Sequence, residues 1–191
     1  MSTTTTKRRM LSAAQEILAQ SGLAAVNSNA IVKRAKVTPP TFYHYFSDKK
    51  ALLRELGEEL MLAQTEVLRA DTGLIIRNEQ DLLDVSHRFI VNSFEQTLAF
   101  EGGFALLVAL RAMPELAHVR LETHAEMAQL IVDYFEELGL CKDREDLLVR
   151  SRVALETIYA TNEMLFETQF KDRDKVHRVT AQGIVTIYDL F

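Results

Sequence analysis

The stretch that most constrains this chain is Val37 to Lys50, VTPPTFYHYFSDKK. Thr38 is placed to cap a helix through its hydroxyl. Pro39 then falls at the first helical position, where a missing N–H costs nothing, and Pro40 stays within the first turn. Rings follow: Phe42, Tyr43, Tyr45 and Phe46, with His44 among them. Phe42 and Phe46 are four apart, so they share a face and can lock the helix onto a core. Tyr43 and His44 point elsewhere, into solvent or onto a partner; Tyr45 suits either role. Ser47 or Asp48 offers a second cap. Lys49 and Lys50 then open another helix against its dipole, which calls for an anionic partner.

Reading back from Val37, Asn27 caps a short helix through Ala35 with Ile31, Val32 and Ala35 as its apolar positions. Lys36-Val37-Thr38 makes a three-residue turn into the proline-led helix, and the pair forms a helix-turn-helix. Before it, Met10, Leu11, Ala14, Ile17 and Leu18 recur at helical spacing over Lys7–Ser21, and Gly22 stops the pattern. Met1–Thr6 reads as an arm, and Lys7-Arg8-Arg9 as a basic start near a DNA backbone. KRRMLSAAQEILAQSG with AIVKRAKVTPPTFYHYFSDKKALL resembles the amino-terminal DNA-binding domain of TetR-family transcriptional regulators, over about the first 55 residues. The resemblance implies DNA contacts from Asn27, Ser28, Asn29, Lys36, Thr38, Pro39, Pro40, Thr41, Tyr43, His44 and Lys49. Thr38 and Lys49 would meet phosphates; Pro39, Pro40 and Thr41 would meet base edges, apolar groups against thymine methyls. Two positions depart from the family pattern. Lys36 stands where a turn glycine is usual, so the turn lacks an easy left-handed residue, and Ser28 stands where an apolar residue is common.

The net charge of −5 argues against nucleic acid until the chain is divided. Residues 1–50 hold eight Lys/Arg against two Asp/Glu, net +6; residues 51–191 hold 14 against 25, net −11. The chain thus reads as a basic module at residues 1–50 and an acidic one at 51–191. A lone cysteine, Cys141, fits a reducing compartment. The longest apolar run, Phe104–Leu110, is far short of a membrane span. With the polar opening STTTTKRR, the expectation is a cytoplasmic protein with no membrane partner.

Beyond residue 50 the pattern stays helical. A helix runs from Asp48 to about Arg69, and Asp71-Thr72-Gly73 interrupts it; Leu74–Arg77 is ambiguous. Asn78 caps a helix to about Phe100 that is apolar on two sides and so expected to be buried. Phe104–Met113 is a short apolar helix, and a long stripe runs from Leu116 to Leu138. Asp143 caps a helix to about Phe170, and Val176–Phe191 forms the last. The fold class is all-α, about nine helices, with a three-helix DNA-binding domain followed by a larger effector-binding and dimerisation domain.

A pocket between helices needs an apolar wall with a few polar groups. Asn92, Gln96, Arg111, Met113, His118, Met127, Thr157 and Asn162 are the candidates for it, with a small, largely apolar effector. Gly183 in mid-helix invites the close approach of another helix. The resemblance implies a four-helix homodimer interface from the last two helices, carried by Val153, Ile158, Val179, Gly183, Ile184 and Ile187. No metal or catalytic pattern stands out. His118 and Glu122 share a face without an HExxH motif, so no cofactor and no enzymatic activity are expected. The function implied is a ligand-responsive regulator, a repressor released from a palindromic operator. The alternative is a helix-turn-helix protein whose acidic module binds another protein.

Overall fold

The computed structural model describes residues 3–71 and 75–191. Among these residues it is all helix apart from turns: α1 Thr3–Ser21, α2 Ser28–Ala35, α3 Pro39–Tyr45, α4 Lys49–Asp71, α5 Glu79–Ala99, α6 Gly103–Ala112, α7 Ala117–Glu137, α8 Arg144–Glu167 and α9 Arg173–Tyr188. A 3₁₀ turn at Leu23–Ala25, which the sequence pattern does not announce, separates α1 from α2. No described helix is long and apolar enough to cross a membrane. Met1 and Ser2 of the expected arm, Thr72 and Gly73 of the expected break, and Leu74 of the ambiguous segment lie outside the described residues.

Local chemistry sets most helix starts. Asn27, Thr38, Asp143 and Asp172 each accept a hydrogen bond from a first-turn N–H as N-caps. Asn78 Oδ1 takes the Asp81 N–H and Asp48 Oδ1 the Ala51 N–H, both at 2.9 Å. The last helix therefore begins three residues before Val176, at the Asp172 cap. It ends at Tyr188, where Asp189 turns left-handed at φ 49°.

The chain divides into two units, Met1–Leu62 with Thr97–Arg120, and Ala63–Gln96 with Leu121–Phe191. The first is larger than a division at residue 50 would make it, because α6 packs onto α1. A Cβ at Gly102, which sits at φ +75°, would come within 2.6 Å of Leu18 Cβ, so only glycine admits this approach. The core of this unit holds Met10, Ile31, Phe42, Leu52, Leu53, Leu56 and Leu106, all at or near zero exposure. In the second unit, Leu82, Ile90, Val132, Leu155, Ile184 and Tyr188 belong to one buried cluster drawn from α5, α7, α8 and α9. α5 is less enclosed than its two apolar sides suggest: Leu98 is 53% exposed, and Asn92 and Glu95 face solvent. Within the second unit its buried side is the Leu82, Phe89 and Ile90 face.

Candidate nucleic-acid interface

In the first unit, α2 and α3 are each set by a capping side chain and by the residue that ends the helix. Asn27 Oδ1 accepts from the Ala30 N–H at 3.0 Å, while its Nδ2 donates to the Ala25 carbonyl at 3.2 Å. Ile31 and Ala35 face inward. α2 then closes on Lys36 at φ 52°, ψ 49°, a left-handed residue carrying a long side chain. The turn lacks glycine yet adopts the glycine conformation. Thr38 Oγ1 caps α3 by accepting the Thr41 N–H at 3.4 Å, and the two threonine hydroxyls lie 2.8 Å apart. Pro39 occupies the first helical position, as its rigid φ favours.

The rings divide as their spacing requires. Phe42 is fully buried and Phe46 is 3% exposed, with centroids 5.8 Å apart, and burying each contributes about 2 kcal/mol. Tyr43 meets Phe42 edge-on at 5.3 Å yet remains 58% exposed. His44 is exposed and Tyr45 half-buried, the two rings in edge contact at 5.0 Å. Asn29, Lys36, Thr38, Pro39 and Pro40 are exposed; Ser28 and Thr41 are half-buried. Ten of the eleven expected contact residues thus carry exposed or partly exposed side chains on or beside α2 and α3.

Lys49 stands apart. It is half-buried, and its Nζ donates to the Val26 carbonyl at 2.9 Å. Lys50 pairs with Glu115, which raises the lysine's pKa and holds the Glu115 carboxyl below its usual range. Lys50 thus meets an anionic partner within the chain, and Lys49 a neutral carbonyl. A carbonyl and a carboxylate offset the unfavourable helix dipole. The basic start has inner partners too: Lys7 with Glu55 at 2.7 Å, Arg8 with Glu59 at 2.7 Å, and Arg9 Nη2 with the carbonyls of Ala35 and Lys36. Sequence spacing carries no signal of the Arg9 role, because its partners are 26 and 27 residues away and are backbone atoms.

Residues 10–56 match the model for bacterial regulatory proteins of the tetR family. Over these residues the amino-terminal module is similar to that family. The HTH-type transcriptional regulator UidR of Escherichia coli (strain K12) is 37% identical over 51 residues, 27% of this chain and 26% of that protein. The chain therefore aligns with only about a quarter of the length of this curated relative. The fold likeness extends further. A tetR-family transcriptional regulator from Streptomyces coelicolor superposes with a TM-score of 0.76 at 13% identity, over 98% of this chain and 82% of that one. RolR, solved in complex with resorcinol, gives 0.65 at 16% identity over 97% and 88%. At such identities the likeness speaks for the fold.

The eight expected pocket residues are divided between the two units. Arg111, Met113 and His118 belong to the first unit. Asn92 is exposed and Gln96 half-buried. Met127 is buried in the core cluster, and Thr157 Oγ1 donates to the Val153 carbonyl of its own helix at 2.8 Å. Asn162 is buried, its Nδ2 donating to Ser93 Oγ at 3.2 Å, while its Oδ1 has no partner. Thr157 lines an open groove with Val153, Glu156 and Met164, and a more enclosed cavity of the second unit is lined by none of the eight. It measures about 60 Å³ and is walled by apolar side chains such as Leu68, Ile76, Phe89, Ile131 and Leu155, with Ser86, Tyr134 and Tyr188. Burial pushes the Tyr188 hydroxyl up to about 12, so it stays neutral. A search for polar groups on apolar helices passes over such a wall.

The expected interface residues also divide. Ile158 and Ile184 are buried in the chain's own core. Val153 is 48% and Val179 66% exposed, Ile187 is partly exposed, and a Cβ at Gly183 would meet nothing within 4 Å. Among the described residues no group of three or more His, Cys, Asp or Glu is placed to hold a metal ion.

Proposed function

We propose that this chain is a ligand-responsive transcriptional repressor acting as a homodimer on a palindromic operator in the cytoplasm. The observation that carries the reading is the division of α3: Phe42 anchors it inside, while Pro39, Pro40, Tyr43 and His44 stand in solvent. A helix held in this way offers two apolar pyrrolidines, a phenol and an imidazole to a major groove. Residues 1–50 supply the DNA contacts and the rest of the chain supplies effector binding and dimerisation. Two such helices related by a two-fold axis would enter successive grooves about 34–36 Å apart.

Dimerisation is supported by apolar residues left in solvent on α8 and α9: Val149, Val153 and Met164 along one line of α8, and Val179 on α9. A second copy covers them, with Gly183 admitting its backbone. The effector is small, uncharged and apolar, because the cavity lined by Phe89 and Leu155 has no charged wall residue. RolR with resorcinol is a precedent for such a molecule in this fold. At about 60 Å³, the cavity is smaller than the roughly 300–1,000 Å³ of ligand sites. The effector therefore has to select an opened state, and a ligand that prefers the opened state lowers operator affinity by that preference.

The test is a mobility shift with DNA from upstream of the chain's own coding region, repeated across salt concentrations. Binding that falls steeply with salt supports the reading. No shift at any salt concentration, there or at sites mapped across the genome, contradicts it. Sedimentation as a monomer at micromolar concentration would remove the homodimer.

A further inference from the structure

We infer that Arg9 is the positioning residue of the DNA-reading helix: from α1 it clamps the left-handed Lys36 turn and so fixes the direction in which α3 leaves α2. The inference rests on the DNA-binding reading above. The turn closes as a helix ends on a left-handed residue: the Lys36 N–H reaches the Lys33 carbonyl at 3.4 Å and the Val37 N–H reaches the Val32 carbonyl at 3.1 Å. Glycine usually fills that place, because a Cβ crowds the following carbonyl. Here the residue is lysine at φ 52°. Arg9 Nη2 donates to the two carbonyls beside it, Ala35 and, at 3.1 Å, Lys36. Its guanidinium thereby also sits at the negative end of the α2 dipole.

The base of the clamp is rigid. Met10 and Ala13, beside Arg9 on α1, are fully or almost fully buried. The part it holds matters, since α3 begins only three residues past Lys36. A change in the backbone angles of Lys36 would swing Pro39, Pro40 and Tyr43 together. A glycine would hold this conformation unaided; with lysine, Arg9 does so from outside the turn. Arg9 thus serves recognition from beneath α3, through the backbone of the turn.

The test compares Arg9→Ala in two backgrounds, wild type and Lys36→Gly. Affinities are measured for a duplex selected from a random-sequence library by the wild-type protein, and for an unselected duplex of the same length. In the wild-type background, Arg9→Ala is expected to lower affinity for the selected duplex about tenfold. The unselected duplex and the salt slope should hardly change. In the Lys36→Gly background the same substitution should cost about twofold or less. A phosphate contact would behave otherwise: equal loss on both duplexes, a salt slope smaller by about one, and no dependence on residue 36. That pattern, or no loss at all, overturns the inference. Should Arg9→Ala fail to fold, Arg9→Lys carries the same comparison, since an ammonium lacks the planar fork. Amide exchange of Val37 decides the clamp without DNA. Arg9→Ala should speed it with lysine at 36 and leave it nearly unchanged with glycine, and equal effects in the two backgrounds would refute the clamp. If the wild type selects no duplex, the DNA reading has failed while the exchange result still decides the clamp.

Discussion

Lys36 sits at φ 52° with a full side chain, a conformation that costs an L-residue about 1 kcal/mol or more. Lys36→Gly should therefore raise the unfolding free energy by about 1 kcal/mol, read by chemical denaturation, even though it removes an exposed cation. A loss of stability would mean that the lysine makes compensating contacts of its own. The caps at Asn27 and Thr38 were legible in the sequence because each is satisfied within three residues of itself. The partners of Arg9, Lys49 and Lys50 were not legible. Val26 lies 23 residues from Lys49, and Glu115 lies 65 from Lys50. Spacing alone cannot bring such groups together. The Val26 carbonyl that Lys49 meets in the folded chain carries no signal in the sequence spacing.

At the scale of the helix, α9 combines two features that make opposite demands. His177 is buried against Phe94, with ring centroids 5.4 Å apart, and its Nε2 has no partner. Burial pushes its pKa below the usual value, with nearby His87 and Arg173 acting in the same direction and Asp174 and Glu95 against it. A histidine whose folded pKa is depressed contributes stability above its unfolded pKa, near 6.5, and that contribution is lost as the pH falls towards the folded value. Stability should thus decline below about pH 6.5, and His177→Leu should flatten that part of the pH profile; an unchanged slope would assign the decline to other groups. On the other side of the helix, Gly183 is open. Gly183→Ala should stabilise the isolated helix by about 1 kcal/mol. If a second copy packs there, the same substitution should raise the dimer dissociation constant in sedimentation. Tighter or equal association would place the interface elsewhere. Helix positions along the chain were legible from periodicity and caps, whereas the inward turn of Ile158 and Ile184 depends on which side of α8 and α9 the rest of the chain covers.

Over the whole molecule, charge follows the two units. The first carries 11 Lys/Arg and seven Asp/Glu, net +4; the second carries 11 and 20, net −9. The sign of each was legible from the first 50 residues and the remainder, although the first unit also takes in 97–120 through the Gly102 approach to Leu18. The apolar cavity lined by Phe89 and Leu155 was the least legible part. Its wall is made of the most ordinary core residues, which no motif distinguishes, and polar residues on the same helices are the more conspicuous candidates. The central claim concerns α3, whose outward face should read DNA while its inward face holds it in place. Its most direct test is the affinity of Tyr43→Ala for the duplex selected by the wild-type protein, measured beside its unfolding transition. Tyr43 is 58% exposed, so its removal should weaken binding about tenfold with little change in the transition. Undiminished affinity in a normally folded variant would contradict the account.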